Sequence, residues 1–177
     1  VESVCQRMLP VYARAFDWPG EFFAPAFADP QVTLRMSHYP PPETGDVDQF
    51  GVAPHTDYGC LTLLWQDSVG GLEVQTRQGE WVTAHPLEDT LVVNVGDLLS
   101  RWTNNAFQST LHRVINRKNV ERYSMAIAWD PNFETLVDPA KVFPESEAVQ
   151  YEPVQCGDYV LSRFDASFSY RKVVQSA

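Results

Sequence analysis

Short segments rich in β-branched and aromatic residues follow one another through the middle of the chain, and this pattern constrains the fold more than any other feature of the sequence. The segments are VTLRMSHY, CLTLLWQ, LEVQT, EWVTA, TLVVNV, STLHRVI and RYSMAIAW. Turn residues separate them, namely Pro40-Pro41-Pro42, Gly70-Gly71, Gly79, Asn104-Asn105 and Asn116 to Asn119. Short strands at this spacing predict an antiparallel sandwich or barrel rather than alternating strands and helices.

Helical patterns flank this β-rich region. Residues 2–17 carry apolar residues three or four positions apart, interrupted by Pro10, which predicts one helix that is kinked or split there. A second short helix is expected over Glu21–Phe27, and apolar residues from about Cys156 to Tyr170 predict a closing helix. Gly96-Asp97 is expected to form a turn that Asp97 caps. The sequence therefore predicts a mainly β fold with helices before and after it.

The charge balance excludes several classes of partner. The 177 residues include 23 acidic and 13 basic side chains, a formal net charge of −10, which repels phosphate backbones and anionic membranes. We expect no nucleic-acid partner and no membrane partner, because the chain also lacks an apolar run of the roughly 18 residues that a spanning helix needs. Three scattered cysteines are typical of reduced thiols, and no start resembling a signal peptide is present, so the sequence predicts a cytoplasmic protein.

Two of the four histidines stand in a pattern that indicates metal binding. His55 and Asp57 are two residues apart, so at the end of a strand their side chains point to the same side. His112, on a separate predicted strand, supplies a third ligand. Two histidines and one carboxylate form the facial triad of non-heme Fe(II) oxygenases, which leaves three adjacent positions free. His38 and His85 have no acidic or thiol neighbour at ligand spacing and are expected to be ordinary surface or core residues.

Arg122 and Ser124 form a candidate anion site. If residues 115–119 form an odd-length turn, His112 and Arg122 lie opposite each other across a hairpin and share one face with Ser124. A planar guanidinium binds a carboxylate bidentately, and the serine hydroxyl donates one more hydrogen bond. A cation that projects into a barrel beside iron needs an anion.

Together these residues resemble the isopenicillin N synthase-like branch of the iron and 2-oxoglutarate-dependent oxygenases. The matching pieces, in chain order, are Tyr39-Pro40, His55-Thr56-Asp57, Gly71-Leu72-Glu73-Val74, His112-Arg113-Val114 and Arg122-Tyr123-Ser124. The resemblance covers roughly residues 31–170. It implies a double-stranded β-helix, or jelly roll, in which His55, Asp57 and His112 hold Fe(II). It also implies that Arg122 and Ser124 bind the far carboxylate of 2-oxoglutarate and that Tyr39 hydrogen-bonds this co-substrate.

The function that the resemblance implies is that of an Fe(II)/2-oxoglutarate-dependent dioxygenase. Such an enzyme uses dioxygen to couple the oxidative decarboxylation of 2-oxoglutarate to the hydroxylation, desaturation or cyclisation of a small organic substrate. Residues 1–30 are then the remnant of an N-terminal helical region, and residues 31–177 form the oxygenase domain. The primary substrate and the oligomeric state stay open, and a monomer is compatible with the sequence.

Two other functions are compatible with the same residues. An oxidase of the isopenicillin N synthase type uses the triad without 2-oxoglutarate, and Arg122 and Ser124 then bind a substrate carboxylate. Succinate formation distinguishes it from the first function. A non-enzymatic, cupin-like metal-binding module tolerates loss of Arg122 and consumes no oxygen with 2-oxoglutarate.

Overall fold

Two four-stranded antiparallel sheets form the centre of the computed structural model, which describes residues 2–42, 50–142 and 148–167. The strands of these sheets are β1 Gln31–Tyr39, β2 Phe50–His55, β3 Leu61–Gln66, β4 Leu72–Gln75, β5 Trp81–Thr83, β6 Val92–Val95, β7 His112–Ile115 and β8 Arg122–Asp130. The first sheet has the order β1-β8-β3-β6 and the second β2-β7-β4-β5. Except between β4 and β5, the chain passes from one sheet to the other at each step, which is the connectivity of a jelly roll. The prediction of a mainly β fold is confirmed.

The predicted hairpin between β7 and β8 is wrong. β7 pairs with β2 and β4 in the second sheet, whereas β8 pairs with β1 and β3 in the first. Both hydrogen-bonding edges of β8 are therefore taken, and the residues after Ile115 cross between the sheets instead of turning back. Arg122 lies opposite Tyr39 of β1 rather than opposite His112.

One strand falls outside the predicted segments. β2 spans Phe50–His55 and contains Gly51 and Pro54, two residues that are uncommon inside strands. Its register with β7 shifts between Phe50 and Val52 and again between Val52 and His55. These irregularities explain why the composition of this segment does not indicate a strand.

The helices largely follow the prediction. α1 is one helix over Glu2–Arg14 that contains Pro10 without a break, and α3 covers Cys156–Ser167. The predicted second helix is a 3₁₀ helix, Ala24–Phe27. A further helix, α2, spans Asp97–Trp102 with Gly96 as its N-cap, so the expected turn capped by Asp97 is wrong. The remaining elements are β9 Leu136–Val137, which pairs with β10 Val154–Gln155, and a 3₁₀ helix, Pro139–Lys141.

Apolar side chains form two buried clusters. The larger joins the helices to the first sheet, where Phe27 stacks on the fully buried Trp129 at 4.4 Å between ring centroids. The smaller contains Tyr39, Leu72 and Val114 and lies between strands of both sheets. All three cysteines are free thiols, as the sequence predicts, and all three are buried. None of the described helices is long and apolar enough to cross a membrane.

Candidate active site

The three predicted metal ligands meet at one end of the second sheet. His55, the last residue of β2, is the register partner of His112, the first residue of β7. The Nε2 atoms of His55 and His112 lie 3.9 Å and 3.8 Å from Oδ1 of Asp57. Ligand atoms of all three residues lie within 4.8 Å of one another. Among the described residues this is the only such group of histidine, cysteine, aspartate or glutamate side chains.

Backbone carbonyl groups orient both imidazole rings. Nδ1 of His55 lies 2.9 Å from the carbonyl oxygen of Ala53, and Nδ1 of His112 lies 3.0 Å from that of Thr110. A carbonyl oxygen can only accept, so each Nδ1 carries the proton and donates it. Each Nε2 then keeps its lone pair and faces the Asp57 carboxylate, which is the tautomer that a metal requires.

The Asp57 carboxylate is oriented by Asn94, a residue that the sequence analysis did not identify. Nδ2 of Asn94, on β6, donates to Oδ2 of Asp57 at 2.8 Å. This contact leaves Oδ1 as the oxygen that faces the two histidines. The backbone is fixed too, because the N–H of Asp97 at the start of α2 donates to the carbonyl oxygen of Asp57 at 2.7 Å.

The surroundings of His55 favour its neutral form. Burial lowers the pKa of His55, and the nearby His112 lowers it further. The hydrogen bond to Ala53 and the charge on Asp57 oppose this shift without reversing it. Neutral imidazoles are the form that coordinates metals.

The donor set fits a ferrous ion. Two imidazole nitrogens and one carboxylate oxygen suit Fe(II) with open coordination positions, whereas structural zinc sites complete a tetrahedron with four protein ligands. The three residues are only partly buried, so small molecules can reach the remaining positions.

Arg122 forms a buried cationic site inside the first sheet. Its side chain is fully buried, and Nε donates to the carbonyl oxygen of Gly70 while Nη2 donates to Oε1 of Gln66 at 3.3 Å. The guanidinium lies 4.6 Å from the centre of the Tyr39 ring. Oγ of Ser124 donates to the Tyr39 hydroxyl at 3.4 Å. Arg122, Ser124 and Tyr39 are thus brought together as predicted, although by the pairing of β8 with β1.

The guanidinium of Arg122 has an unused donor. Nη1 is buried and has no hydrogen-bond partner among the described residues. A buried charge that lacks a counter-charge is costly, since it has lost its hydration without full compensation. A carboxylate that accepts a hydrogen bond from Nη1 would supply both the missing acceptor and the missing negative charge. The site therefore fits an organic acid.

The other histidines lie away from this centre. His38 stacks on Tyr123 at 4.8 Å between ring centroids and pairs with Glu121 on the protein surface. His85 is exposed. Neither is part of the group of metal-ligating side chains found in the described part of the chain.

Comparison with known proteins gives a consistent result. Residues 30–131 match the family model of the 2OG-Fe(II) oxygenase superfamily. The chain is 37% identical over 174 residues to the 2-oxoglutarate-Fe(II) type oxidoreductase ppzC of Metarhizium rileyi, an alignment that covers 93% of this chain and 46% of the relative. It is 39% identical over 145 residues to clavatol oxidase claD of Penicillium crustosum, covering 80% of this chain and 43% of the relative.

A solved structure also matches. A full-length Neurospora crassa protein, crystallised in complex with alpha-KG and 5-formyluracil, aligns with a TM-score of 0.87 and 32% identity, over 93% of this chain and 56% of the other. This likeness supports the predicted jelly roll. The chain spans about half the length of the relatives that it matches.

Proposed function

The chain belongs to the 2OG-Fe(II) oxygenase superfamily, and we propose that the protein couples oxidative decarboxylation of 2-oxoglutarate to oxidation of a small organic substrate. The observation that carries this proposal is the buried Nη1 of Arg122, which has no partner among the described residues and lies in the same jelly roll as the His55, Asp57 and His112 group. The group of His55, Asp57 and His112 offers ligands for a metal ion, and Arg122 offers a hydrogen-bond donor for a carboxylate.

His55, Asp57 and His112 would hold the iron. Bound Fe(II), together with dioxygen and 2-oxoglutarate, supplies the oxidising chemistry that this family performs. The protein residues keep the ligands in place: Ala53 and Thr110 fix the histidine tautomers, and Asn94 fixes the carboxylate.

Arg122, Ser124 and Tyr39 would bind 2-oxoglutarate. The free Nη1 of Arg122 donates to the far carboxylate, and the hydroxyl of Ser124 can turn from Tyr39 to donate to the same group. Burial of Arg122 strengthens these contacts, because water does not compete for the guanidinium.

The names of the relatives favour this function over the alternative oxidase. The Metarhizium relative is named a 2-oxoglutarate-Fe(II) type oxidoreductase, and the Neurospora protein was solved with alpha-KG. 5-Formyluracil, present in the Neurospora structure, is a small organic molecule, and a substrate of that size is part of the proposal. The proposal also places the protein in the cytoplasm, which the three free cysteines support.

The metal ligands are tested by Asp57→Ala and His112→Ala in the full-length protein. We expect both changes to abolish Fe(II) binding and the formation of succinate from 2-oxoglutarate, since each removes one of three ligands. The exposed His85→Ala variant is the matched control and should keep both properties. Full activity in either ligand variant would contradict the triad.

The co-substrate site is tested separately by Arg122→Ala. Losing one partner of a buried charge pair costs about 2 kcal/mol or more, so we expect the 2-oxoglutarate concentration needed for half-maximal rate to rise roughly 30-fold or more. Iron binding should be unchanged. An unaltered 2-oxoglutarate requirement, or turnover without succinate, would favour the oxidase instead.

A further inference from the structure

Gln66 lies beside Arg122 on the inner face of the first sheet. It is the last residue of β3, and its register partner on β8 is Ser124. Side chains alternate along a strand, so Ser124 and Arg122 point to the same side of β8, and directly opposed residues on neighbouring strands share a face. The side chain of Gln66 is therefore on the side of the sheet that carries the proposed co-substrate site.

Two partners hold the side-chain amide of Gln66 in one orientation. Its Oε1 accepts a hydrogen bond from Nη2 of Arg122 at 3.3 Å, and its Nε2 donates to the carbonyl oxygen of Ala84 at 3.0 Å. A guanidinium can only donate and a carbonyl oxygen can only accept, so turning the amide over would lose both hydrogen bonds. Ala84 is itself fixed, because its N–H donates to the carbonyl oxygen of Leu72 at 2.9 Å. Gln66 thus links the Arg122 side chain to the backbone of the second sheet.

The carbonyl group of Gly70 takes the neighbouring donor of the guanidinium, because Nε of Arg122 donates to its oxygen. The position of this oxygen depends on the turn after β3, in which Gly70 and Gly71 have φ values of 81° and 92°, a region that favours glycine. The carboxylate of Asp67 fastens the same turn to β8, since its Oδ2 accepts from the N–H of Tyr123 at 2.6 Å. The acceptor for Nε is therefore set by the backbone.

Gly70 and Gln66 together occupy one edge of the Arg122 guanidinium. In this planar group Nε and Nη2 form one edge that can bind a carboxylate, and Nη1 and Nη2 form another. The two acceptors take the first edge, and the Tyr39 ring lies against the guanidinium at 4.6 Å. Nη1 is buried without a partner among the residues that the structure describes. The edge that carries Nη1 is therefore the one left for an anion.

The acceptor that Gln66 supplies is neutral. No carboxylate in residues 2–42, 50–142 or 148–167 forms an ion pair with Arg122. A carboxylate in place of the Gln66 amide would pair with the guanidinium and cancel its charge from within the protein. The amide fixes the direction of the guanidinium and keeps its positive charge available.

Resting on the function proposed above, we propose that Gln66 is a positioning residue for the co-substrate. It acts through Arg122: by filling one edge of the guanidinium with a neutral acceptor, it directs the far carboxylate of 2-oxoglutarate to the edge that carries Nη1. The proposal concerns only this far carboxylate, so it is tested by comparing acids that differ at that end.

The test compares 2-oxoglutarate with 2-oxopentanoate, which has the same chain length and a methyl group in place of the far carboxylate. Calorimetry measures the affinity of the full-length protein for each acid, with Fe(II) bound and oxygen excluded. The variants are Gln66→Leu and Gln66→Glu. Gln75→Leu and Gln75→Glu are the matched controls, because Gln75 is also half-buried and its amide also donates to a backbone carbonyl, that of Gly79, at 3.0 Å. Fe(II) binding and thermal unfolding are checked first.

We expect the wild type to bind 2-oxoglutarate roughly 10- to 100-fold more tightly than 2-oxopentanoate, the difference that a charge-assisted contact provides. Gln66→Leu should lower this preference about threefold or more, because the guanidinium loses a hydrogen bond that orients it. Gln66→Glu should reduce the preference to about threefold or less, because the new ion pair cancels the charge. The affinity for 2-oxopentanoate should not change, and both Gln75 variants should match the wild type.

The proposal is overturned if both Gln66 variants keep the wild-type preference. It is equally overturned if they weaken the binding of the two acids by the same factor, which would indicate a purely structural role, or if the Gln75 variants lose the preference to the same extent. A wild-type protein that binds both acids equally, or binds neither, would instead contradict the proposed function on which this inference rests.

Discussion

The side-chain amide of Asn94 holds one oxygen of Asp57 and so determines which oxygen faces the two histidines. Asn94 is the register partner of Thr62 on the neighbouring strand β3. Hydrogen bonds from a neighbouring residue to a metal-ligating side chain matter for metal binding, because they fix the direction of the lone pairs that bind the metal. Asn94 is therefore a positioning residue for the proposed iron ligand.

We expect Asn94→Ala to weaken Fe(II) binding by about 10- to 100-fold, the usual cost of removing such a contact. The measurement is an anaerobic Fe(II) titration, with thermal unfolding as the check that the variant is folded. The exposed Asn119→Ala variant is the control. Equal Fe(II) affinity in wild type and Asn94→Ala would show that the hydrogen bond has no positioning role.

The sequence identifies the three candidate ligands but not the residue that orients one of them. His55, Asp57 and His112 stand out because few side chains bind transition metals, so their types and spacing carry information. The contact of Asn94 depends on which strand β6 pairs with and where the loop after β2 runs, and neither can be derived from local composition. The only sequence feature that could have indicated this role is that Asn94 is the single polar residue in the apolar run LVVNV.

At the scale of elements, the start of α2 is packed against the loop that carries Asp57. The N–H of Gly96 donates to the carbonyl oxygen of Cys60 at 2.8 Å, and that of Leu98 donates to the carbonyl oxygen of Gly59 at 3.0 Å. A Cβ atom on Gly96 would lie 2.2 Å from the oxygen of Gly59. Only glycine allows the helix and the loop to approach this closely.

Gly96→Ala should lower the free energy of unfolding by roughly 1–3 kcal/mol, the typical cost of overpacking. The backbone of Gly96 has φ −95° and ψ 176°, which alanine can adopt, so the effect would be steric. Chemical denaturation measures it. Gly20→Ala, whose Cβ would meet only Pro10 at 3.5 Å, is the control. A Gly96→Ala protein as stable as the wild type would show that the loop moves aside without cost.

The elements with strong local patterns were predictable, and those set by long-range pairing were not. β-branched runs such as TLVVNV indicate strands directly, whereas β2 is obscured by Gly51 and Pro54. α2 has six residues, too few for a helical repeat to emerge. The pairing partners of β7 and β8 depend on competition among distant strands. The short connection between these two strands therefore led to the incorrect prediction of a hairpin.

Over the whole molecule, two carboxyl groups respond to pH in opposite directions. Burial raises the pKa of Glu73, but hydrogen bonds from Arg117 and Arg113 outweigh it and leave the pKa below its ordinary value. Glu73 therefore stabilises the fold above its ordinary pKa, and this contribution is lost as the pH falls through its folded pKa. Removal from water raises the pKa of Asp130 to about 6; the hydrogen bond from the N–H of Cys60 opposes this, and the charge on Asp57 adds to it.

Asp130 should make the protein less stable as the pH rises from about 4 to 6. In this range the folded state holds a proton that the unfolded state has released, so the free energy of unfolding falls with pH. We expect the stability of Asp130→Asn relative to wild type to increase by about 2 kcal/mol between pH 4 and pH 7. Denaturation of the iron-free protein across this range measures the difference.

The exposed Asp29→Asn variant is the control for this pH series. Its stability relative to wild type should stay within about 0.5 kcal/mol across the range, as is usual for surface substitutions. An Asp130→Asn difference that is flat with pH would contradict the raised pKa.

The jelly roll assigns the two proposed reagent sites to opposite walls. His55 and His112 belong to the second sheet, whereas Tyr39, Arg122 and Ser124 belong to the first, and the small cluster of Tyr39, Leu72 and Val114 lies between the walls as a spacer. Leu72 and Val114 of this cluster belong to neither proposed site, so the distance between the two walls depends partly on packing outside the proposed reaction centre. Substitutions at Leu72 and Val114 could therefore change how efficiently the proposed decarboxylation is coupled to product formation, while every proposed ligand stays the same.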